Sequence, residues 1–391
     1  MAVDKKIVRE NWISNFTLVG KPVINDHTYK IDECKEGSHW IYNALNLGID
    51  CGEKHGTVYC DMMGGYSSEG ENVIYVHGKN EDNSDDWKNQ FHVDWDDRFN
   101  DNILKEVGDL CFLTVGLEKT DKGKTYYKKF LKAYDAIAYI KEHLTSDMVV
   151  NVRGRLQYSM WNDKVQIHKT IDSIALSNVD DPSKYRANFT QSILLDKDSA
   201  SLKNIDKGKS VMYVDARVLD YLKEYKGAEV KGQFPYNVQF EFPMPLNNQE
   251  QCKKIMDKVF KVKKGITQAT FEGDFIEGGA TTTATWDDVP DDIKDLVDCG
   301  VFTVEQAIAD CSSNGSREKR MVLRKPYIKL VGEDKIPQIQ KFENQYSEDD
   351  LILNCMMDDG DEAPWDEDED LDANVAESAD AGDDMGWLDS L

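Results

Sequence analysis

The sequence predicts a mainly β protein: two small, partly open barrels with inserted helices, followed by a disordered acidic C-terminal tail. Three observations predict it. Short segments rich in β-branched and aromatic residues recur from Trp12 to Val331, bounded by Gly, Asn and Asp. A helix followed by a hairpin, Tyr134–Leu176, closes the first half, and the second half follows a similar plan of strands with inserted helices. The stretch Tyr346–Leu391 holds 18 Asp/Glu and no Lys/Arg, a composition that cannot bury enough apolar surface to order itself. With 391 residues the chain is long enough for two cores. The expected divisions are a flexible arm over 1–11, a first barrel over 12–178, a second over 185–335 and the tail over 336–391, with Asp180-Asp181-Pro182-Ser183 as linker.

In the first block, Asn15–Ile24, His39–Asp50 and Thr57–Met62 read as strands, with shorter candidates at Val73–Val76 and Phe91–Trp95. Leu110–Leu117 and Thr125–Leu131 flank Thr120-Asp121-Lys122-Gly123, which favours a hairpin. A helix is expected over Asp135–Leu144. Strands over Met148–Tyr158 and Val165–Ile174 follow, joined through the turn residues Asn162-Asp163. Gly154, in the middle of the first of these, marks a bulge or bend. In the second block, strands are expected at Arg186–Leu195, Ser210–Val218, Val238–Pro243, Ile266–Ile276 and Met321–Val331. Gln249–Phe260 puts Cys252, Ile255, Met256 and Val259 on one side of a helix. Asp291–Val297 and Thr303–Cys311 read as short helices, Thr303 serving as N-cap with Gln306 three residues on. The two blocks share a plan; no residue-level repeat is evident.

The net charge of -26 is concentrated in the tail. Without it, 47 Lys/Arg face 55 Asp/Glu, a balance compatible with a nucleic-acid partner where cations cluster. No apolar run approaches the roughly 18 residues of a membrane span, and MAVDKKIVRENW lacks the apolar core of a signal peptide. A cytoplasmic protein with no membrane partner is expected, in the host cytoplasm if the protein is viral. The eight Cys contain no C-x-x-C and read as reduced thiols. Cys34, His39, Cys51, His55 and Cys60 approach zinc-ligand spacing only loosely, so no metal or cofactor is expected. Asp94, Asp96 and Asp97 could hold Mg²⁺ as in a nuclease, but capping of the following Arg98–Val107 is the simpler reading. Gly123-Lys124-Thr125 is not a phosphate loop, because position 118 is Glu118 rather than Gly. With no other catalytic motif present, an enzyme is not expected.

What the sequence does contain is cations interleaved with rings. Alternation along Met148–Tyr158 puts Val150, Val152, Gly154, Leu156 and Tyr158 on a core face and Asn151, Arg153, Arg155 and Gln157 on the other. Arg153 and Arg155 then stand about 7 Å apart, close to the spacing of phosphates along an extended single strand. Trp161 beside the turn is placed to stack on an unpaired base. The run Lys119–Lys132 sets Lys124, Tyr126, Lys128 and Phe130 on one strand face, with Tyr127 and Lys129 between them. In the second block, Arg320 and Arg324 lie near Tyr327.

The run from Asp135 to Gln166, with its V-N-V-R-G-R-L strand, resembles the last third of the OB-fold of bacterial and phage single-stranded DNA-binding proteins. Val150, Val152, Gly154, Arg155 and Leu156 match that family's strand in order, Trp161 matches its loop aromatic, and Tyr127-Lys128-Lys129-Phe130 sits where its third, aromatic-bearing strand is expected. An acidic tail with a short hydrophobic tip is also similar. The resemblance covers about 50 residues plus the tail. The chain departs from the family in having two blocks and in ending Trp387-Leu388-Asp389-Ser390-Leu391, a layout more like that of a large-bacteriophage protein. The resemblance implies an OB-like barrel that binds single-stranded DNA; with the pattern of cations and rings, the expected contacts are Lys124, Tyr126, Tyr127, Lys128, Lys129, Phe130, Arg153, Arg155, Tyr158, Trp161 and Lys164, with Arg320, Arg324 and Tyr327 from the second block. It also implies replication or recombination proteins as partners of Trp387, Leu388 and Leu391. The alternatives are an RNA-binding or strand-annealing OB-fold protein, a replisome scaffold, and a metal-dependent nuclease using the Asp94–Asp97 carboxylates.

Overall fold

The computed structural model describes residues 7–352 except 163, 203–204, 206–209, 246–247 and 333–334; within 278–318 it describes only 294, 297, 299, 303 and 304. The described residues are mainly β, as expected. Strands β1 (Ser14–Val23), β2 (Tyr29–Cys34), β3 (Trp40–Asp50) and β4 (Thr57–Ser67) open the chain. A second ribbon, β5 (Val73–Lys79) and β6 (Asp85–Asp94), precedes helix α1 (Asp101–Leu104). Then come the hairpin β7 (Leu113–Lys119) and β8 (Thr125–Phe130), helix α2 (Ala133–His143), and the long hairpin β9 (Val150–Trp161) and β10 (Lys164–Leu176).

Five of these strands close a barrel. β1 pairs antiparallel with β3, β3 with β4, β4 runs parallel to β10, β10 pairs with β9, and β9 returns to β1. Alternation along each strand fills the interior with Phe16, Leu18, Leu45, Leu47, Ile49, Val58, Val152 and Ile171. Helix α2 buries Ala136, Ile137, Tyr139 and Ile140 against this core. A second barrel repeats the pairing order. It is built from β11 (Arg186–Leu195), β12 (Val211–Tyr225), β13 (Ala228–Pro243), β14 (Ile266–Glu277) and β15 (Lys319–Pro326). β13 and β15 are its parallel pair, and β14 returns to β11. Helix α3 (Gln249–Ile255), continued by a π turn over Met256–Phe260, occupies the place of α2.

The two first strands join the barrels into one sheet: β1 pairs antiparallel with β11, with Phe16 opposite Phe189. A residue-level repeat becomes visible here. Asn15-Phe16-Thr17 matches Asn188-Phe189-Thr190. Phe16 lies opposite Gly154 of β9, and Phe189 opposite Gly273 of β14. Both glycines are required by close approach. A Cβ at Gly154 would stand 1.9 Å from the Thr170 carbonyl oxygen and 2.9 Å from the Phe16 ring; one at Gly273 would stand 2.2 Å from the Phe189 ring. The expected irregularity lies across from Gly154, at Asp172 of β10, where the register shifts. Gly154→Ala is therefore expected to destabilise the protein by about 3 kcal/mol through overpacking, measured by urea unfolding; a change under about 0.5 kcal/mol would show that the strands can part freely.

The barrels also touch through side chains. Lys169 and Glu277, both buried, pair at 2.5 Å. Lys54 reaches Asp274 at 2.6 Å, and the His55 ring Nδ1 lies 2.8 Å from the Phe275 carbonyl. Burial pushes the His55 imidazole below its usual range, which favours the neutral ring there. At the matching junction, the Tyr158 N–H donates to Asp220 at 2.8 Å and its hydroxyl donates to Gln191 at 3.0 Å. Burial raises the Asp220 carboxyl.

Several expectations are corrected. Residues 336–352 are not all tail: β16 (Ile328–Val331) and β17 (Ile336–Ile339) form a ribbon, and β18 (Lys341–Tyr346) pairs with β14. Residues 7–11 are docked rather than a free arm. Ile7 is buried with Tyr346 and Leu351, and the Arg9 guanidinium donates to the Leu219 carbonyl at 3.1 Å. Val73–Val76 and Phe91–Trp95 prove to be parts of an inserted module. It has its own core of Ile74, Val76, Val93, Val107, Phe112 and Leu131. The Asp94–Asp97 carboxylates do not cap α1; Asn100 does, its side chain accepting from the Asn102 N–H at 3.1 Å. Cys51 and Cys60 are buried side chains and Cys34 is exposed. Among the described residues no cluster of His, Cys, Asp or Glu is placed to hold a metal, and no helix is long and apolar enough to cross a membrane. The expected helices over Asp291–Val297 and Thr303–Cys311 lie outside the described residues apart from isolated positions.

Candidate nucleic-acid interface

The alternation expected along β9 holds. Val152, Gly154, Leu156 and Tyr158 turn inward, while Arg153, Arg155 and Gln157 are exposed. Because successive odd positions share a face, Ser159 and Trp161 continue the same line toward the hairpin tip. From Arg153 to Trp161 this line is about 27 Å long. Trp161 is 49% exposed and lies opposite Lys164, also exposed. Gln166 and His168 of β10 flank Ser159 and Gln157. The hairpin that joins the fourth and fifth strands of an OB barrel is one of its oligonucleotide-contacting loops, and here it carries the exposed indole.

The lysine-rich strand joins this face in one row and not in the other. Arg153 of β9 lies opposite Ser173 of β10, Ser173 opposite Thr114 of β7, and Thr114 opposite Lys129 of β8. Residues opposite one another in paired strands point to the same side, so Lys129 shares the Arg153 face about 14 Å away. Tyr127, 56% exposed, lies on that side too, its ring over Gly116, where a Cβ would stand 2.8 Å from it. Tyr126, Lys128 and Phe130 share the other face, which turns toward α2. Phe130 is buried, and the Lys128 ammonium lies 4.6 Å from the centre of the Tyr139 ring. Phe130 and the buried Tyr158 are thus core residues, not members of a DNA surface. Nor is β8 the third barrel strand; that place is taken by β4, and β8 is an edge strand beyond β7. Lys124 is exposed in the turn before β8.

Counter-ions divide the cations. Arg155 pairs with Asp172 at 3.0 Å, half in solvent. Lys129 and Lys79 share Asp109 at 2.9 and 2.8 Å, and hydrogen bonds from Lys79 and Lys129 hold that carboxyl below its usual range. Arg153 is exposed and forms no ion pair among the described residues. In the second barrel the same positions carry the opposite charge. The register that matches Gly154 to Gly273 matches Arg153 to Glu272 and Arg155 to Asp274, and the bulged Asp172 to Arg324. Arg324 pairs with Asp274 at 3.1 Å, Lys325 with Glu272 at 3.2 Å, and Arg320 with Glu241 at 3.3 Å. Arg320 and Arg324 are therefore matched by carboxylates. Tyr327 is half-buried, its N–H donating to the Thr270 carbonyl at 2.8 Å. The expected tail contacts Trp387, Leu388 and Leu391 lie outside the described residues.

Asp109, Glu272 and Asp274 carry no local sequence pattern that marks them as counter-ions; Asp172 alone does, close in sequence to its strand partner Arg155. No family model and no curated protein matches the chain. Two crystal structures of the single-stranded DNA-binding protein from Thermus aquaticus are similar to it. For the wild type the identity is 8% and the TM-score 0.30, over 68% of this chain and 86% of that one. For a variant with a deletion and a point substitution the values are 9% and 0.30, over 68% and 87%. A likeness at that score establishes neither family nor function.

Proposed function

We propose that the chain is a sequence-tolerant, non-enzymatic single-stranded DNA-binding protein acting in replication, recombination or repair. One observation carries this reading. Trp161 at the hairpin tip stands in line, on one open face of β9, with the guanidiniums of Arg153 and Arg155. Cations track the phosphates along that line, and the indole stacks on a base at its end, with Tyr127 as a second stacking platform. Neither contact reads base edges, so sequence preference is low. The first barrel carries the strand; in the second, Glu272 and Asp274 hold Lys325 and Arg324 in ion pairs, which leaves that barrel as a paired support. The acidic C-terminal residues compete with DNA for the cations and recruit partner proteins through Trp387, Leu388 and Leu391.

Anisotropy of a labelled oligo-dT tests this. Affinity is expected to fall with salt at a log–log slope of about -0.7 per phosphate contacted. Deleting residues 353–391 removes 15 carboxylates and is expected to tighten binding at low salt by about ten-fold. Absence of oligo-dT binding at low salt would end the reading; binding unchanged by the deletion would end only the competition.

A further inference from the structure

The last strand of the second barrel is interrupted where that of the first is not. In the first barrel β10 continues through Ile174, Ala175 and Leu176, which lie opposite Val152, Asn151 and Val150 of β9. At the matching places in the second, Pro326 of β15 lies opposite Phe271 and Lys341 of β18 lies opposite Ala269. Residues 327–340 therefore stand where the first barrel has Ala175 alone, and they leave the sheet as the ribbon β16–β17. At its root the Tyr327 N–H donates to the Thr270 carbonyl at 2.8 Å, and the Gln340 N–H donates to the Tyr327 carbonyl at 3.0 Å. All the residues of β16 and β17 are exposed, and none joins a core cluster of the described residues. Residues opposite one another point to the same side. Ile328, Leu330, Pro337 and Ile339 thus share one face, which carries no charge, while Lys329, Val331, Ile336 and Gln338 form the other. Ile328, Leu330 and Ile339 are 51%, 59% and 58% exposed. A two-stranded ribbon alone is marginal in water, and an apolar face held out into solvent marks a contact surface.

We propose that the Ile328, Leu330, Pro337 and Ile339 face packs against the same face of a second copy of the chain, across a two-fold axis. Its chemistry selects the occupant. DNA and the acidic C-terminal residues both need cations, and this face has none; Lys329 lies on the other. A second copy needs only that no like charges meet, and on this face none do. Pro337 takes a backbone donor from the outer edge of β17, which disfavours strand addition there and leaves the face as the contact. Four side chains from each copy are far fewer than the roughly 20–30 residues a side of a stable interface, so the pairing is weak in free solution. On the DNA-binding reading above, on which this consequence rests, two copies on one strand meet at high local concentration, and there the contact closes.

Sedimentation equilibrium of the intact chain without DNA tests this, up to about 500 µM against a dissociation constant on the order of 100 µM. The mass should rise toward a dimer and no further, because a two-fold contact closes on itself. Each copy carries a net charge of -26, so association should strengthen at least about two-fold from low to high salt as that repulsion is screened. A Leu330→Glu, Ile339→Glu variant and a Leu330→Lys, Ile339→Lys variant should each associate at least about ten-fold more weakly, with unchanged melting temperatures. Their equimolar mixture should pair again, because contact between the two ribbons brings the opposite charges together. A wild-type chain that stays monomeric at about 500 µM overturns the proposal and assigns the face to another occupant. Association that weakens with salt overturns it too, as do double variants that associate like the wild type or a mixture that pairs no better than its components. Since no DNA is present, failure here leaves the DNA-binding reading standing, and failure of oligo-dT binding leaves the pairing standing.

Discussion

An Arg153→Glu, Trp161→Ala double variant is expected to bind oligo-dT about 100-fold more weakly than the wild type, with its melting temperature unchanged. Loss of one base–indole stack costs roughly 1–3 kcal/mol, and about 1.4 kcal/mol is a factor of ten. Charge reversal at Arg153 adds repulsion of the nearest phosphate on a face where the neighbouring cations, Arg155 and Lys129, are partly neutralised by Asp172 and Asp109. Both substituted side chains are exposed, so folding stability should move by no more than about 0.5 kcal/mol. Anisotropy at two salt concentrations separates the two losses. Trp161→Ala alone should leave the salt slope intact, and Arg153→Glu alone should flatten it. Binding within two-fold of wild type would move the interface off this hairpin.

The largest effect on stability is expected at the junction between the barrels. Glu277→Gln should cost about 3–5 kcal/mol, because it leaves the Lys169 ammonium buried without its counter-charge. The pair lies at 2.5 Å with both side chains almost fully enclosed, and the Lys169 ammonium lies 4.8 Å from the centre of the Phe275 ring. Replacing both partners, in a Lys169→Met, Glu277→Leu variant, should recover most of the loss, since apolar packing of similar volume removes two desolvation penalties at once. Urea unfolding measures both. A Glu277→Gln cost below about 1 kcal/mol would mean that water reaches the pair and that the barrels part locally.

The sequence makes local alternation legible and long-range pairing opaque. Period-two alternation divides β9 correctly into Val152, Leu156 and Tyr158 on one side and Arg153 and Arg155 on the other, because that pattern is local. The same logic groups Tyr126, Lys128 and Phe130, yet it cannot say which side of β8 meets α2. That depends on β7 running parallel to β10, a pairing of Thr114 with Ser173 that no local pattern encodes. The identity of the third barrel strand is lost for the same reason. Thr57–Ser67 joins β10 through Asp61 and Thr170 only after the module of β5 to β8 has been inserted. Ion pairs such as Arg324–Asp274 and Arg155–Asp172 appear only when strand register and a bulge bring the charges together. Lys341–Tyr346 reads as tail because its strand, KFENQY, is charged and short, features that also suit an edge strand. The duplication escapes notice because its identical core, Asn-Phe-Thr, is three residues long and recurs only at the start of the second barrel. Its meaning rests on Gly154 and Gly273, which are required by contacts across the sheet.

Photocrosslinking of an oligo-dT carrying 5-bromodeoxyuridine, with the attached peptides mapped by mass spectrometry, tests the central claim most directly. The account predicts crosslinks at Trp161, with Tyr127 as the second site on the same face. Crosslinks confined to the second barrel, or to Tyr126 on the face that turns toward α2, would contradict it.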